Sequence, residues 1–259
     1  MRDTVARDVH TFPDLEALSE AAAREIVAIA KASVVARGRF TIALAGGNTP
    51  QRTYQLLADR YRDAIDWARA EVIFGDERFV PPDDPRSNYK MAREALLARV
   101  PIDEERVHPV QTDVSSVDQA AELYERTLRR VLSPADTGAV SPNASDATVD
   151  LVLLGVGPDG HTASLFPGSP AVDERVRWAR AVAAPTTVQP AVPRVTVTLP
   201  FLDGARAVVF LVAGADKRAI IDQILAGTES ARRYPAALVS PAGRLVWLVE
   251  QSAVSRGAR

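Results

Sequence analysis

The stretch Leu151-Val-Leu-Leu-Gly-Val-Gly-Pro-Asp-Gly-His161-Thr-Ala-Ser-Leu-Phe-Pro167 joins an apolar run to a glycine-rich turn that carries one histidine. The apolar residues predict a buried strand, and the glycines predict a turn directly after it. In open α/β sheets, ligands bind at the turns that follow the carboxyl ends of strands. The stretch therefore predicts an α/β fold with His161 at a functional edge, which favours an enzyme.

The residues before this stretch alternate between helical and strand patterns. Apolar residues recur at helical spacing from Leu15 until Gly38, and Pro13 followed by Asp14 is typical of a helix start. Patterns of the same two kinds predict a strand at 40–45, a helix from Pro50 to Asp59, a strand at 71–75, a helix capped by Ser87 or Asn88 that continues to Arg99, and a helix at 117–132.

The later part of the chain repeats this alternation. A polar, proline-bearing stretch at 133–146 predicts a surface loop, and apolar runs predict strands at 149–154, 178–183, 194–199, 207–213 and 245–249, with a helix at 215–226. Because parallel neighbours need crossover connections, the pattern favours a three-layer, mostly parallel, Rossmann-like α/β sheet flanked by helices, with a few additional strands. We expect a single domain over residues 1–259, with its motifs between about 10 and 250.

Composition excludes several classes of protein. Hydrophobic residues make up 47% of the chain and charged residues 25%, close to the average for globular proteins. A formal net charge of -2 provides no basic surface for nucleic acid. No apolar run is long enough to span a bilayer, and the residues after Met1 lack the apolar segment of a signal peptide. We expect a cytoplasmic protein without membrane insertion, and a monomer because no coiled-coil pattern is present.

The residue types also restrict the chemistry. The chain has no cysteine and only three histidines, which are scattered, so neither a thiolate nucleophile nor a metal site is predicted. A Gly-x-Ser-x-Gly elbow is absent, which argues against a serine hydrolase. A P-loop and a Gly-x-Gly-x-x-Gly fingerprint are also absent, which argues against nucleoside triphosphates and dinucleotides.

The turn formed by Gly46, Gly47, Asn48 and Thr49 lies between a predicted buried strand and the helix that begins at Pro50. Backbone N–H groups in such a turn, together with the positive end of the helix, can hold a phosphate. A plain tight turn capped by Thr49 explains the same residues. The local sequence leaves both interpretations open.

Asp76, Glu77 and Arg78 directly follow the predicted strand at 71–75. They therefore lie at the carboxyl edge of the sheet, where a ligand crevice is expected. Arg78 can bind a phosphate through paired N–H donors. The alternative is a solvated cluster with a local salt bridge.

His161 is the candidate proton carrier, because an imidazole can take a proton from water at neutral pH and return it to a leaving oxygen. The alternative is that Asp159-Gly160 forms only a turn and that His161 packs against it. Lys217 follows Gly214-Ala-Asp after another strand and could reach an anion at the same edge, although taken alone it is better explained as a solvated lysine on a helix. The same two interpretations apply to Arg194, which follows the proline-rich loop at 185–193.

Four segments together resemble the 6-phosphogluconolactonase family. They are Ala45-Gly-Gly-Asn-Thr-Pro50, Gly75-Asp-Glu-Arg-Phe-Val80 with Ser87-Asn-Tyr89, Gly155-Val-Gly-Pro-Asp-Gly-His-Thr-Ala-Ser-Leu-Phe-Pro-Gly168, and Gly214-Ala-Asp-Lys217. They occur in the family's order, and the histidine segment is the most specific. The wider superfamily shares its sheet with glucosamine-6-phosphate deaminase/isomerase, so the fold alone does not settle the activity.

The resemblance implies hydrolysis of 6-phospho-D-glucono-1,5-lactone to 6-phosphogluconate in the oxidative pentose phosphate pathway, with no metal and no organic cofactor. It implies that His161 is the general base. The loop from Gly46 to Thr49 and the side chains of Arg78, Arg194 and Lys217 would bind the phosphate or nearby oxygens. Asp76 and Asp159 would orient the sugar or the histidine, without a separate assignment for each.

Three other functions are weighed against this one. An isomerase or deaminase of the same superfamily typically has an aromatic residue where Arg78 stands and a glutamate after the histidine, and the segment 162–168 contains no glutamate. A non-catalytic sugar-phosphate sensor would not need a histidine placed as a base. A coenzyme A transferase-like activity would need a catalytic glutamate for which no segment matches.

Overall fold

Two sheets form the framework in a computed structural model that describes residues 7–133, 149–186 and 188–255. The strands of these residues are β1 (Arg7–Phe12), β2 (Phe40–Leu44), β3 (Ala70–Phe74), β4 (Asp76–Arg78), β5 (Leu151–Leu154), β6 (Ala179–Val182), β7 (Arg194–Val197), β8 (Ala207–Val212) and β9 (Arg244–Glu250). The larger sheet has the order β1-β9-β8-β5-β2-β3, and all of its neighbouring strands are parallel. The smaller sheet, β4-β7-β6, is antiparallel.

Helices cover both faces of the parallel sheet. The α-helices of the described residues are α1 (Leu15–Arg37), α2 (Asn48–Arg60), α3 (Asn88–Ala95), α4 (Val117–Leu132), α5 (Leu199–Asp203), α6 (Arg218–Leu225) and α7 (Pro235–Leu238). In β5, Leu151 and Leu153 pack with α1, α2 and α3, whereas Val152 and Leu154 pack with α4, α6 and α7. Successive side chains of a strand point to opposite faces, so the continuous apolar run of β5 is buried on both. The predicted three-layer α/β fold is confirmed.

The strand order reverses at the boundary between β2 and β5. From β2 the chain continues through α2 to β3, which lies on one side of this boundary. After β5, the next strand of the same sheet is β8, which lies on the other side. Crevices for ligands form at such points, because the connections from adjacent strands leave in opposite directions. The turns after β2, β5 and β8 therefore open at one edge of the sheet.

Local signals place the ends of α1 as predicted. Asp14 accepts a hydrogen bond from the N–H group of Ala17 at 2.8 Å and so caps the first turn. Gly38 ends the helix with φ of 72°, a conformation that glycine adopts without steric cost.

Several predicted boundaries differ from those in the structure, and three of them have a clear physical cause. Helix α2 begins at Asn48 rather than at Pro50, because proline is tolerated anywhere in the first turn. Helix α3 ends at Ala95 rather than at Arg99, and a 3₁₀ turn follows; Pro101 disfavours helical geometry at Val100. Strand β7 ends at Val197 rather than at 199, since α5 begins at Leu199 with Pro200 in its first turn.

Strand β1 was not predicted. Its residues are mostly exposed, and among the described strands it pairs only with β9, so it has no apolar alternation that the sequence could reveal. The predicted loop at 133–146 lies, apart from Ser133, outside the described residues. Across the described ranges, none of the helices has the length and apolar character needed to cross a membrane.

Phe210 and Trp247 stack on each other between β8 and β9. Their ring centroids are 4.0 Å apart, their planes differ by 13°, and both side chains are fully buried. We expect Phe210→Ala to lower the free energy of unfolding by about 3–5 kcal/mol, through lost burial and the cavity left behind. Urea denaturation measures this change. Val35→Ala is the matched control, because Val35 is 88% exposed and should change stability by less than about 0.5 kcal/mol.

Candidate active site

A cavity of about 420 Å³ opens at the carboxyl ends of β2, β5 and β8. Its volume falls in the range of small-molecule sites, about 300–1,000 Å³. The residues that line it are Ala45, Gly46, Gly47, Asn48, Thr49, Pro50, Asp76, Arg78, Gly155, Val156, Gly157, Pro158, His161, Ala163, Val188, Gln189, Arg194, Leu211 and Lys217.

The N-terminus of α2 forms one wall of the cavity. Gly47 precedes the helix with φ of 103°, a backbone conformation that side chains disfavour. Gly46 also has no room for a side chain, since a Cβ atom there would lie 1.9 Å from the amide oxygen of Asn88. The first N–H groups of a helix have no partner within it, so Asn48 and Thr49 can offer theirs to an anion in the cavity.

His161 is held between a carboxylate and two packed surfaces. Its Nδ1 lies 2.5 Å from Oδ1 of Asp159, which also accepts a hydrogen bond from the His161 N–H group at 3.1 Å. A Cβ atom on Gly157 would lie 2.0 Å from the imidazole, so only glycine allows the ring to lie where it does. The Phe166 ring packs against the imidazole at a centroid distance of 4.7 Å. Because the carboxylate fixes the proton on Nδ1, the lone pair of Nε2 can accept a proton.

Asp159 is a charged partner for this histidine. Burial alone would raise the pKa of Asp159, but the hydrogen bond and the charge of His161 outweigh it and lower the pKa below its usual value. Asp159 is absent from the cavity wall and lies behind the imidazole ring. It is therefore placed to orient His161 rather than to touch a ligand.

Arg78 and Arg194 lie directly opposite each other on β4 and β7. Like charges at opposite positions of an antiparallel pair repel each other. Arg194 is only 2% exposed, and its buried Nε has no hydrogen-bond partner; the same holds for Nε of Arg78. Burial also lowers the pKa of Arg194. Two guanidinium groups in this arrangement are suited to a shared anion in the cavity.

Lys217 approaches the cavity from the end of β8. It follows Gly214, whose φ of 104° turns the chain, and whose N–H group is held by the Glu250 carboxylate at 3.0 Å. The Nζ of Lys217 donates a hydrogen bond to the carbonyl of Ala213 at 2.8 Å. Partial burial lowers the pKa of Lys217, because desolvation disfavours its charged form. Such a group gains more from a bound anion than a solvated lysine does.

Asp76 and Glu77 point to opposite faces of β4. Asp76 lines the cavity, whereas Glu77 accepts from the backbone N–H groups of Asn88 and Tyr89, each at 2.7 Å. Burial raises the pKa of Glu77, and these hydrogen bonds act in the opposite direction. Glu77 thus fixes the start of α3 against β4 and has no part in the cavity wall.

The residues singled out from the sequence as binding residues all line this one cavity with His161; they are Gly46, Gly47, Asn48, Thr49, Asp76, Arg78, Arg194 and Lys217. Their roles stay predictions. Sequence reasoning missed Gln189, which belongs to a proline-rich loop without a recognisable motif, and Ala163, which has φ of 47°. Within the described ranges, no group of three or more His, Asp or Glu side chains is placed to hold a metal ion.

A three-layer α/β sheet with a carboxylate-oriented histidine and converging cations at its carboxyl edge defines a protein with an enzyme-like site for a small anionic ligand. The chain belongs to the family described as glucosamine-6-phosphate isomerases/6-phosphogluconolactonase, whose model matches residues 13–247.

Individual relatives share most of the chain's length. A 6-phosphogluconolactonase of Synechocystis sp. is 41% identical over 223 residues, which is 85% of this chain and 86% of the relative. The structure of 6-phosphogluconolactonase from Trypanosoma brucei is 34% identical, with a TM-score of 0.81 over 96% of this chain and 98% of that one. A monomeric glucosamine-6-phosphate deaminase, at 19% identity and a TM-score of 0.77 over 95% of this chain and 98% of its own, shares the fold.

The pairing of Asp159 with His161 predicts a change in titration. We expect His161→Ala to raise the pKa of Asp159 relative to the wild type, because the side-chain hydrogen bond and the charge of the imidazole no longer oppose the effect of burial. The carboxyl ¹³C chemical shift of Asp159, followed by NMR as a function of pH, measures this. In the wild type, the pKa of Asp159 is lower in the folded protein than in the unfolded chain. The pair of Asp159 with His161 therefore stabilises the fold above about pH 3.9, and this stabilisation is lost as the pH falls through the folded pKa.

The exposed His10, which pairs with Asp8, supplies the control variant His10→Ala. This substitution should leave the titration of Asp159 unchanged. A pKa of Asp159 that is the same in His161→Ala and in the wild type would show that the two side chains are not coupled.

Proposed function

We propose that the chain hydrolyses 6-phospho-D-glucono-1,5-lactone to 6-phosphogluconate, as in the oxidative pentose phosphate pathway. The observation that carries this proposal is that one carboxylate-oriented imidazole and several cationic groups line the same cavity. The relatives from Synechocystis and Trypanosoma brucei, both above 30% identity, are 6-phosphogluconolactonases by name. The neighbour that is a deaminase is similar in fold alone.

In the proposed reaction, Nε2 of His161 takes a proton from a water molecule as the water oxygen attacks C1 of the lactone. The C1 carbonyl oxygen becomes an oxyanion, and the bond between C1 and the ring oxygen then breaks. The resulting imidazolium gives its proton to the departing ring oxygen, so one side chain serves as base and acid. Asp159 supports both steps, because its negative charge stabilises the imidazolium and holds the ring in place.

Phosphate binding at the other side of the cavity would place C1 beside His161. The two guanidinium groups of Arg78 and Arg194, the ammonium group of Lys217 and the N-terminus of α2 provide the positive charge for a phosphate dianion. Energy from binding a remote group is thereby converted into orientation of the reacting atoms. Arg78 in this position, and the absence of a glutamate in residues 162–168, favour the lactonase over the isomerase or deaminase of the same family.

The direct experiment follows acid release from fresh lactone at constant pH, corrected for spontaneous ring opening. Acceleration by the purified protein supports the proposal. Binding of 6-phosphogluconate without acceleration would indicate a sensor instead. Release of ammonia from glucosamine 6-phosphate would favour the deaminase.

Removal of the proposed base should act on the chemical step. We expect His161→Ala to lower kcat by about 10²–10⁴-fold, the usual contribution of general acid–base catalysis, with little change in KM. Steady-state kinetics of lactone hydrolysis measures both constants. His10→Ala removes an exposed histidine and should retain wild-type kinetics; wild-type kcat in His161→Ala would refute the mechanism.

Removal of a proposed phosphate ligand should act on binding. We expect Arg78→Ala to raise KM by about 10–100-fold, which corresponds to the loss of a charge-assisted hydrogen bond, with a smaller effect on kcat. Arg232→Ala is the control, because Arg232 is exposed and, among the residues that the structure describes, pairs only with the exposed Glu229. An unchanged KM in Arg78→Ala would place the phosphate elsewhere.

A further inference from the structure

Ser164 lies three residues after His161, but its hydroxyl group reaches the small sheet. It is fully buried, and its Oγ donates a hydrogen bond to Oδ2 of Asp76 at 2.6 Å. The other oxygen of that carboxylate, Oδ1, accepts from the Asn88 amide at 3.1 Å. The same amide nitrogen lies 2.9 Å from the backbone carbonyl of Asp76. The carboxylate of Asp76 is therefore held from two sides by neutral donors.

The turn that carries Ser164 is built to aim this hydroxyl group. Ala163 has a positive φ of 47°, which is rare for a residue with a side chain and marks a locally strained turn. The turn is closed by a hydrogen bond from Leu165 N–H to the carbonyl of Thr162 at 2.9 Å. The Ser164 N–H group donates to Oγ1 of Thr196 at 3.0 Å, and Thr196 is the strand partner of Asp76. Backbone and side chain thus tie the turn to β4 and β7.

Without these two donors, the carboxylate of Asp76 would be free to turn toward its cationic neighbours. The guanidinium groups of Arg78 and Arg194 belong to the same face of the small sheet, and Arg194 is attracted to the Asp76 charge. Among the described residues, Asp76 nevertheless forms no salt bridge with either arginine and instead bonds to Ser164 and Asn88. If the carboxylate turned toward the arginines, it would pair with the cations that a ligand phosphate needs.

We propose that Ser164 is a positioning residue that holds Asp76 as an acceptor for a hydroxyl group of the sugar. A carboxylate has about four acceptor directions, of which Ser164 and Asn88 take two. Because Asp76 lines the cavity, its remaining acceptor directions are open to a ligand there. A sugar hydroxyl group is a donor that fits them. This inference rests on the proposed function, since it assigns to Asp76 a part of the same phosphosugar ligand.

The test separates recognition of hydroxyl groups from recognition of phosphate. Isothermal titration calorimetry gives the affinities of the wild type, Ser164→Ala, Asp76→Ala and the double variant for 6-phosphogluconate and for inorganic phosphate. Ser169→Ala is the matched control, because Ser169 is in the same segment but only caps the 3₁₀ turn Pro170–Asp173. Thermal unfolding of each variant reports whether the fold is retained.

We expect Ser164→Ala to bind 6-phosphogluconate about tenfold more weakly, because a carboxylate that is no longer held loses much of its charge-assisted hydrogen bond to the sugar. Its affinity for inorganic phosphate should stay within about twofold, because the cationic groups are untouched. In the Asp76→Ala background, the same serine substitution should change the affinity for 6-phosphogluconate by less than about twofold, since Ser164 then has nothing to position. Ser169→Ala should match the wild type.

Additive losses in the double variant would overturn the proposal, because they would show that Ser164 acts independently of Asp76. Equal weakening for both ligands would also overturn it, since a collapsed site loses both. If Ser164→Ala does not fold, Ser164→Cys keeps the shape with a weaker donor and should have an intermediate affinity; wild-type affinity in that variant would contradict the proposal.

Lactone hydrolysis by the wild type, measured in parallel, keeps the two proposals distinct. If the wild type binds 6-phosphogluconate but does not hydrolyse the lactone, the proposed function fails, and the binding measurements still decide the role of Ser164. If hydrolysis is observed, Ser164→Ala should lower kcat/KM by about tenfold in the presence of Asp76 and by less than about twofold in its absence.

Discussion

The reversal of strand order between β2 and β5 is the constraint from which the candidate site follows. Connections from these adjacent strands leave in opposite directions, so a crevice opens where they separate. The turn after β2 brings the N-terminus of α2 to this crevice, the turn after β5 brings His161, and the turn after β8 brings Lys217. Residues more than 100 positions apart in sequence thus meet because the sheet is parallel and its order reverses there.

The site concentrates charge that the fold itself does not need. Arg78 and Arg194 are cross-strand neighbours of the same sign. Arg194 is buried and Lys217 is partly buried, and desolvation lowers the pKa of both. Repulsion and desolvation make such an arrangement unfavourable in isolation. The apolar layers on both faces of the sheet offset this cost, and an anion in the cavity would relieve it. Asp76, held by Ser164 and Asn88, remains separate from the arginines.

The sequence predicted the parts of the fold that have strong apolar patterns, and missed those that depend on context. Helix α1 and the buried strands were found because their burial imposes a period on the side chains. Strand β1 is exposed, and β4 is only three polar residues long, so neither has such a period. Motifs and strand ends identified the histidine and the charged residues of the cavity wall, but not Gln189. The hydrogen bond from Ser164 to Asp76 joins residues 88 positions apart and has no local signal.

The proposed function requires one geometric condition: a single phosphorylated sugar must span the distance from the imidazole to the cationic groups. A crystal structure with 6-phosphogluconate bound tests it most directly. We expect the phosphate on Arg78, Arg194, Lys217 and the N-terminus of α2, and the C1 carboxylate within about 3 Å of Nε2 of His161. A ligand in the reverse orientation, or one whose C1 lies beyond reach of the histidine while its phosphate is bound, would contradict the account.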